Sequence, residues 1–493
     1  MNEVALKRVW CVILYLSIIS FFLLVLFADL MPISIGSYAF QRFFLSGFLG
    51  LLVTFLSGFL IYFYGFKSLA EIWPAAALSV GFILLSLRFD KTPFACVEPG
   101  LYALFFLGFV LSGRLPQQWE QKKGCLIILV GVTAIAAALY GATTITVYLF
   151  VMSDSVTDLS VYIPWGFVNI RYWSHVATWL LPLLPLAVLV GPLQKQRLWR
   201  FFVAIGAALW WWIVFLSSSR GTMLGVAFGV ILVAILVGRP AVPWLRVFFK
   251  YLAYGVIAWF LLSVLIPSFL LDEVGMRALK TDTSGRAPLF FEAWRMSLIE
   301  FPFGLGPQSW LTHEIITDEY RKSPKFGHPH NMYLMWAAEY GWLLIVAALI
   351  LAGQAMRLFW RRRNELAQND VRALPLAAFT ASVSAALMHA GVSAVFIAPG
   401  SMLIGFLVLS MFWALISDDL QLSKVRPTKT RTIFAVTVSG VFAALCLLWL
   451  GEVRAYHASM VDDEEFYYEN IPSGTLPRFW LHGNYPRHES QMP

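Results

Sequence analysis

Runs of about 20 consecutive apolar residues recur from one end of this chain to the other. A helix of that length crosses ~30 Å of hydrocarbon, so each run is long enough to span a membrane. Of the 493 residues, 59% are hydrophobic and only 13% are charged, which leaves too few charged side chains to cover a soluble fold. The pattern predicts an all-α, polytopic integral membrane protein and excludes a soluble enzyme.

The apolar windows predict about 13 transmembrane helices. Their positions are residues 9–29, 43–65, 70–87, 95–113, 125–152, 176–192, 200–217, 221–238, 248–270, 331–353, 373–395, 400–416 and 431–450. The first run is assigned as a span because no small-residue cleavage site follows it. The predicted divisions are residues 1–270 with helices 1 to 9, a long loop at 271–330, residues 331–450 with helices 10 to 13, and a tail at 451–493.

Positive charge in the short loops predicts the orientation of the chain. With the N-terminus in the cytoplasm, 21 Lys and Arg residues lie inside, against 8 outside once the long loop is set aside. The long loop and the tail are then outside the cytoplasm. Because the net charge of +8 arises largely from these loops, no nucleic-acid partner is predicted.

Several motifs that would supply redox, metal or nucleotide chemistry are missing from the sequence. The four cysteines lie in or beside apolar runs without CxxC spacing, so no disulfide framework or zinc site is indicated. No GxxxxGK[ST] motif indicates an ATP-driven pump, and no Asp-x-Asp indicates a metal-bound nucleotide sugar. Neither a cofactor nor a metal ion is predicted.

Arg220 stands between two predicted spans that almost no loop separates, directly after three serines. An ionisable residue at membrane depth costs about 3 kcal/mol unless it is paired or hydrated, so it marks a candidate site. The hydroxyl of Ser219 can supplement the guanidinium in an anion site. The alternative is an arginine that extends to lipid phosphates at the membrane surface.

The long loop contains one predicted helix, from Arg286 to Glu300. Its predicted apolar side consists of Leu289, Ala293, Met296 and Leu298. A helix N-terminus offers free N–H groups and a positive dipole end, which together with Arg286 suit a phosphate. The alternative is that Asp282, Thr283 or Ser284 caps the helix while Arg286 faces solvent.

The loop ends in Gly-His-Pro-His-Asn, immediately before a predicted span. Histidine titrates near neutral pH, so His330 can take a proton from a sugar hydroxyl at this position. His328 and Asn331 are candidate supporting residues, although Asn331 can instead cap the next helix. The two histidines could also form half of a metal site. His389, inside a later span, is predicted to be a hydrogen-bonded packing residue.

Four motifs in this order resemble those of the O-antigen ligase superfamily, mainly across residues 200–350. They are Ser-Ser-Arg-Gly between two spans, Gly-Arg-Ala-Pro-Leu-Phe-Phe-Glu-Ala-Trp, Phe-Pro-Phe-Gly-Leu-Gly-Pro, and His-Pro-His-Asn at the start of a span. The superfamily groups bacterial O-antigen ligases, O-antigen and exopolysaccharide polymerases, and protein O-oligosaccharyltransferases. Its members use a glycan carried on undecaprenyl diphosphate at the periplasmic face of the inner membrane.

The resemblance implies that His330 is the catalytic base and that Arg220 and Arg286 bind the diphosphate of the donor. It also implies that the lipid A-core, or another glycan, is the acceptor. The ligase pattern is met by His330-Asn331 and Gly341, whereas Leu344 stands where a small or hydroxyl residue is expected. O-antigen ligation is the first expectation, polymerisation the second and protein O-oligosaccharyl transfer the third. A transporter or lipid flippase is the non-enzyme alternative.

Overall fold

Helices form the architecture of this protein, and no β-strand occurs in the part of the chain that the structure describes. The computed structural model describes residues 16–65, 71–89, 93–116, 119–156, 158–270, 285–366, 371–418, 428–470 and 476–483. Within these ranges, eight helices are long and apolar enough to cross a membrane, and four shorter apolar helices accompany them. The prediction of an all-α, polytopic membrane protein is confirmed, while the count of about 13 spans stays a prediction.

The helices are numbered in chain order. They are α1 (Leu16–Leu26), α2 (Ile33–Gly36), α3 (Tyr38–Tyr64), α4 (Trp73–Ser86), α5 (Val97–Gly113), α6 (Trp119–Ser153), α7 (Ile170–Leu180), α8 (Arg197–Leu216), α9 (Arg220–Leu236), α10 (Val242–Trp259), α11 (Ile266–Leu270), α12 (Arg286–Ile299), α13 (Ser309–Thr312), α14 (Asp318–Arg321), α15 (Met332–Tyr340), α16 (Trp342–Glu365), α17 (Ala373–Ala390), α18 (Pro399–Ile416) and α19 (Lys429–Asn470). Turns of 3-10 helix lie at Ala28–Leu30, Leu87–Phe89, Leu159–Val161, Leu181–Val188 and Arg239–Ala241, and a π-helical turn at Phe260–Leu265 joins α10 to α11.

Proline or glycine interrupts the α-helix in two of the predicted spans. The span predicted at 176–192 falls on α7 and the 3-10 stretch after it, where Pro182 and Pro185 lack the N–H group that an α-helix needs. The span predicted at 331–353 is divided between α15 and α16 at Gly341, whose φ of +87° is outside the right-handed helical region. The final helix, α19, continues to Asn470, well beyond the predicted span end at 450.

Glycines allow α9 to pack directly against α17. A Cβ atom at Gly225 would lie 2.5 Å from the carbonyl oxygen of Ala385, and one at Gly229 would lie 2.3 Å from that of Ala381. At the start of the same stripe, a Cβ at Gly221 would lie 2.3 Å from Nε2 of His389. Small residues spaced by four let helix backbones approach closely in a membrane. This packing fixes the start of α9, and therefore Arg220, against α17.

A second, smaller apolar cluster holds the loop helix α12 in place. Leu289, Ala293 and Met296 of α12 are buried with Ala338 of α15 and with Trp310 and Tyr320 from the loop. The helix predicted from Arg286 is thus confirmed. The placement of Leu298 on the buried side is wrong, since that side chain is 44% exposed. Leu298 follows Leu289 by two and a half helical turns at 3.6 residues per turn, which puts it on the opposite side.

The glycine stripe generates a prediction for stability. Gly229→Leu places a side chain against the backbone of α17 and is expected to cost about 1–3 kcal/mol through overpacking. Gly131→Leu, at a helical glycine of α6 with no neighbouring atom within 4 Å of the new Cβ, is the matched control. Thermal unfolding in detergent measures the difference. Equal melting temperatures for the two variants would contradict close packing of α9 on α17.

Candidate functional site

His330 ends the loop before α15 in a strained backbone conformation. Its φ is +58°, in the left-handed region that residues with a Cβ rarely adopt. The backbone N–H of His330 donates to Nδ1 of His328 across 3.2 Å. On the other side, Oδ1 of Asn331 accepts the N–H groups of Tyr333 and Leu334, each at 3.0 Å, so Asn331 is the N-cap of α15. These contacts fix the backbone on both sides of the His330 side chain.

Arg171, in the first turn of α7, contacts the imidazole of His330. Nη1 of Arg171 lies 3.1 Å from Nε2 of His330. Because a guanidinium only donates hydrogen bonds, Nε2 is the acceptor, and the proton of the neutral ring is on Nδ1. Nδ1 has no hydrogen-bond partner among the described residues. The lone pair of Nε2 is therefore occupied by Arg171, while the buried N–H of Nδ1, on the other side of the ring, is a donor.

Burial and positive neighbours keep His330 neutral. The residue is 3% exposed. Burial, followed by the charges of Arg171 and Arg286 and by His175, lowers the pKa of His330 to about 2. Burial also lowers the pKa of His328, with His330 and Arg478 adding to the effect. At physiological pH, an uncharged imidazole thus lies within a cluster of fixed positive charges.

Arg286 brings a second guanidinium into this cluster from the start of α12. Its Nη1 donates to the carbonyl oxygen of Val392 across 2.7 Å, in the segment after α17. Burial, then the charges of Arg171 and Arg220, lower the pKa of Arg286 to about 10. Guanidinium groups that repel one another in this way favour an anion among them. The predicted caps Asp282, Thr283 and Ser284 lie outside the described residues, and the N-cap is Gly285.

Arg220 begins α9, after a hairpin of three serines that connects it to α8. The hairpin is tight, since Ser218 has a φ of +50° and its carbonyl oxygen accepts the N–H of Arg220 across 2.7 Å. Oγ of Ser219 lies 2.6 Å from Oγ of Ser217, so this hydroxyl contacts the hairpin itself. Arg286 interacts electrostatically with Arg171 and Arg220, and His330 interacts with Arg171 and Arg286. Of the predicted residues, His330, Arg286 and Arg220 therefore belong to one electrostatic cluster, which Arg171 joins.

Two further histidines, both buried, lie near the arginine cluster. His389 accepts or donates through Nδ1 at 2.8 Å from Oγ1 of Thr178, which confirms it as a hydrogen-bonded packing residue. His175 places Nε2 2.8 Å from Oγ of Ser393, and its ring centroid is 5.0 Å from that of His389. Among the residues that the structure covers, no three His, Cys, Asp or Glu side chains lie in a metal-binding arrangement.

Arg171 and His175 were not predicted as site residues from the sequence. Both precede a predicted span, and Arg171 stands 159 residues before His330, in no recognisable motif. One local signal was present, because Arg171 lies at the edge of an apolar run as Arg220 does. Asn169 caps α7 by accepting the N–H of Arg171 across 2.9 Å, which fixes the first helical turn, where Arg171 lies.

Residues 205–349 match the protein family described as O-antigen ligase. Over this segment the chain is similar to the O-antigen ligase family. The segment contains Arg220, Arg286 and His330, whereas Arg171 lies outside it. Comparison with curated proteins and with solved structures gave no match. The match supports the resemblance to the O-antigen ligase superfamily that the motifs indicated. It indicates a multi-pass membrane enzyme of the O-antigen ligase or polymerase type. Such a family implies a lipid-linked glycan donor and a glycan acceptor.

The low pKa of His330 generates a prediction for acid stability. The unfolded chain binds a proton at this residue below about pH 6.5 and the folded chain does not, so stability falls as the pH falls from 6.5 toward 2. His330→Asn removes the titrating group, and asparagine tolerates a positive φ. Between pH 7.5 and 5, wild type is expected to lose about 2 kcal/mol more than the variant. Melting temperatures across this range measure the effect, and parallel curves would contradict it.

Proposed function

We propose that this protein transfers a glycan from undecaprenyl diphosphate to an acceptor hydroxyl at the periplasmic face of the bacterial inner membrane. The acceptor that we propose is the lipid A-core, which makes the reaction O-antigen ligation. One observation carries the proposal: the neutral His330 imidazole lies 3.1 Å from the Arg171 guanidinium and feels the charge of Arg286, which in turn interacts with Arg220. The O-antigen ligase family match and the positive charge of the predicted cytoplasmic loops support it.

The arginine cluster suits the diphosphate of the donor. A guanidinium stays charged and offers phosphate two parallel N–H donors. Arg171, Arg220 and Arg286 together supply fixed positive charge where negative charge develops on the leaving group. Such a site can stabilise a departing diphosphate without a divalent metal, so we propose a metal-independent reaction.

His330 suits the acceptor side of the same reaction. The acceptor oxygen forms a bond to the anomeric carbon, its proton passes to Nε2 of His330, and the bond from that carbon to the diphosphate oxygen breaks with its electron pair. In the structure Nε2 of His330 accepts a hydrogen bond from Nη1 of Arg171. An anionic diphosphate attracts Arg171 and offsets the positive field, which raises the basicity of His330. Donor binding thus prepares the base, and direct attack inverts the anomeric configuration.

A strain that carries His330→Ala tests this function, because the base is lost while the arginine cluster is kept. Surface lipopolysaccharide and the undecaprenyl-linked glycan pool are measured together. If the protein is a ligase, long polymer accumulates on the lipid carrier and the lipid A-core stays bare. The amount of core that carries polymer is then expected to fall at least about a hundredfold. Core capped by single repeats would indicate a polymerase instead. Loss of a glycosylated protein with normal lipopolysaccharide would indicate oligosaccharyl transfer, and unchanged pools would contradict a role for His330.

Arg220→Lys tests the arginine cluster, because lysine keeps the charge and loses the two parallel donors. Transfer by purified protein in liposomes is expected to fall about tenfold to a hundredfold, equivalent to about 1.4–2.7 kcal/mol of transition-state stabilisation. Arg197→Lys, at the opposite end of α8, is the control and should leave the rate unchanged. Wild-type activity in the Arg220 variant would contradict a contact between the two parallel N–H donors of Arg220 and the diphosphate.

A further inference from the structure

A short segment after α19 inserts into the protein next to the histidine loop. Within Leu476–Gly483, the side chains of Arg478, Trp480 and His482 are completely buried. The hydroxyl of Tyr38 donates to the carbonyl oxygen of Arg478 across 3.1 Å, and His482 lies 2.8 Å from the Asp463 carboxylate of α19. A segment whose buried polar groups make specific hydrogen bonds of this kind has a fixed position in the fold.

The side chain of Arg478 connects three separate elements. Its Nε and Nη2 donate to the two oxygens of Glu98 in α5, at 3.0 and 2.9 Å. Nη2 also donates to Oε2 of Glu339 in α15 across 2.6 Å. Nη1 donates to the carbonyl oxygen of Gly327 across 3.1 Å. Gly327 is the first residue of the Gly-His-Pro-His-Asn motif. One buried guanidinium therefore joins the membrane helices to the loop that carries His330.

The contact with Gly327 is close enough to need glycine. A Cβ atom there would lie 2.6 Å from the carbonyl oxygen of Pro477. Two anchors thus enclose the strained His330: Gly327 is held by the inserted segment, and Asn331 is held as the cap of α15. A non-glycine residue at a φ of +58° persists when its surroundings fix both ends of the segment.

We propose that Leu476–Gly483 is a clamp for the histidine loop and that Arg478 is a positioning residue for His330. Arg478 acts through Gly327 and the backbone of the loop, and it holds the imidazole toward Arg171. The role in catalysis rests on the proposed transferase function, whereas the clamp itself is a property of the fold. A buried arginine that is hydrogen-bonded to two carboxylates often adds little to the free energy of unfolding, because desolvation offsets the attraction. We therefore assign its role to the geometry that it fixes.

Arg478→Lys tests the clamp, since lysine keeps the charge but cannot reach Glu98, Glu339 and Gly327 in a planar fork. Hydrogen exchange of the full-length protein is followed at residues 326–331 and at α12. The variant is expected to exchange about tenfold faster at 326–331, with α12 unchanged. In liposomes kcat is expected to fall about tenfold while KM for the donor stays within about twofold, because the arginine cluster is intact. Arg454→Lys, at an exposed position of α19, is the matched control and should change neither readout.

Three results would overturn the proposal. Unchanged exchange at 326–331 would show that Arg478 does not hold the loop. Faster exchange throughout the chain, with kcat and KM moving together, would show a general structural role. Faster exchange at 326–331 with unchanged kcat would remove the positioning role. If wild type has no transferase activity, the proposed function fails and exchange alone decides the clamp. If Arg478→Lys does not fold, Glu98→Gln removes one carboxylate partner and is judged by the same two readouts.

Discussion

The hydrogen bond from Arg171 to His330 joins two parts of the chain that lie 159 residues apart. It places a cation against an imidazole that is 3% exposed, and a second cation, Arg286, lies close enough to lower the pKa of that imidazole further. Like charges in a buried site repel one another unless an anion or hydrogen-bond acceptors compensate them. The fold must therefore hold the cluster together against its own repulsion, and the packing around it shows how.

Each member of the cluster is fixed by a different device. The glycine contacts of α9 with α17 set the position of Arg220, and the small apolar core between α12 and α15 sets that of Arg286. Asn169 caps the helix that begins beside Arg171, and Asn331 caps the helix that follows His330. None of these contacts involves the reacting groups directly. Rigid elements at the rim of a site are what give its side chains a reproducible geometry.

The sequence predicted the membrane architecture and three of the clustered residues for physical reasons. Apolar runs report helices that must satisfy their own backbone hydrogen bonds in lipid, and Arg220, Arg286 and His330 stand in local motifs. Arg171 belongs to no motif, so only tertiary packing brings it to His330. The burial of Arg478 was likewise hidden, since its partners Glu98 and Glu339 are distant in sequence. Periodicity alone would have placed Leu298 correctly on the exposed side of α12.

A cryo-EM structure of the protein in a lipid nanodisc with undecaprenyl diphosphate bound tests this site most directly. The diphosphate oxygens should lie within hydrogen-bond distance of Arg171, Arg220 and Arg286, with Nε2 of His330 released from Arg171 and open toward the acceptor side. A diphosphate bound elsewhere, with the hydrogen bond from Arg171 to His330 unchanged, would contradict it.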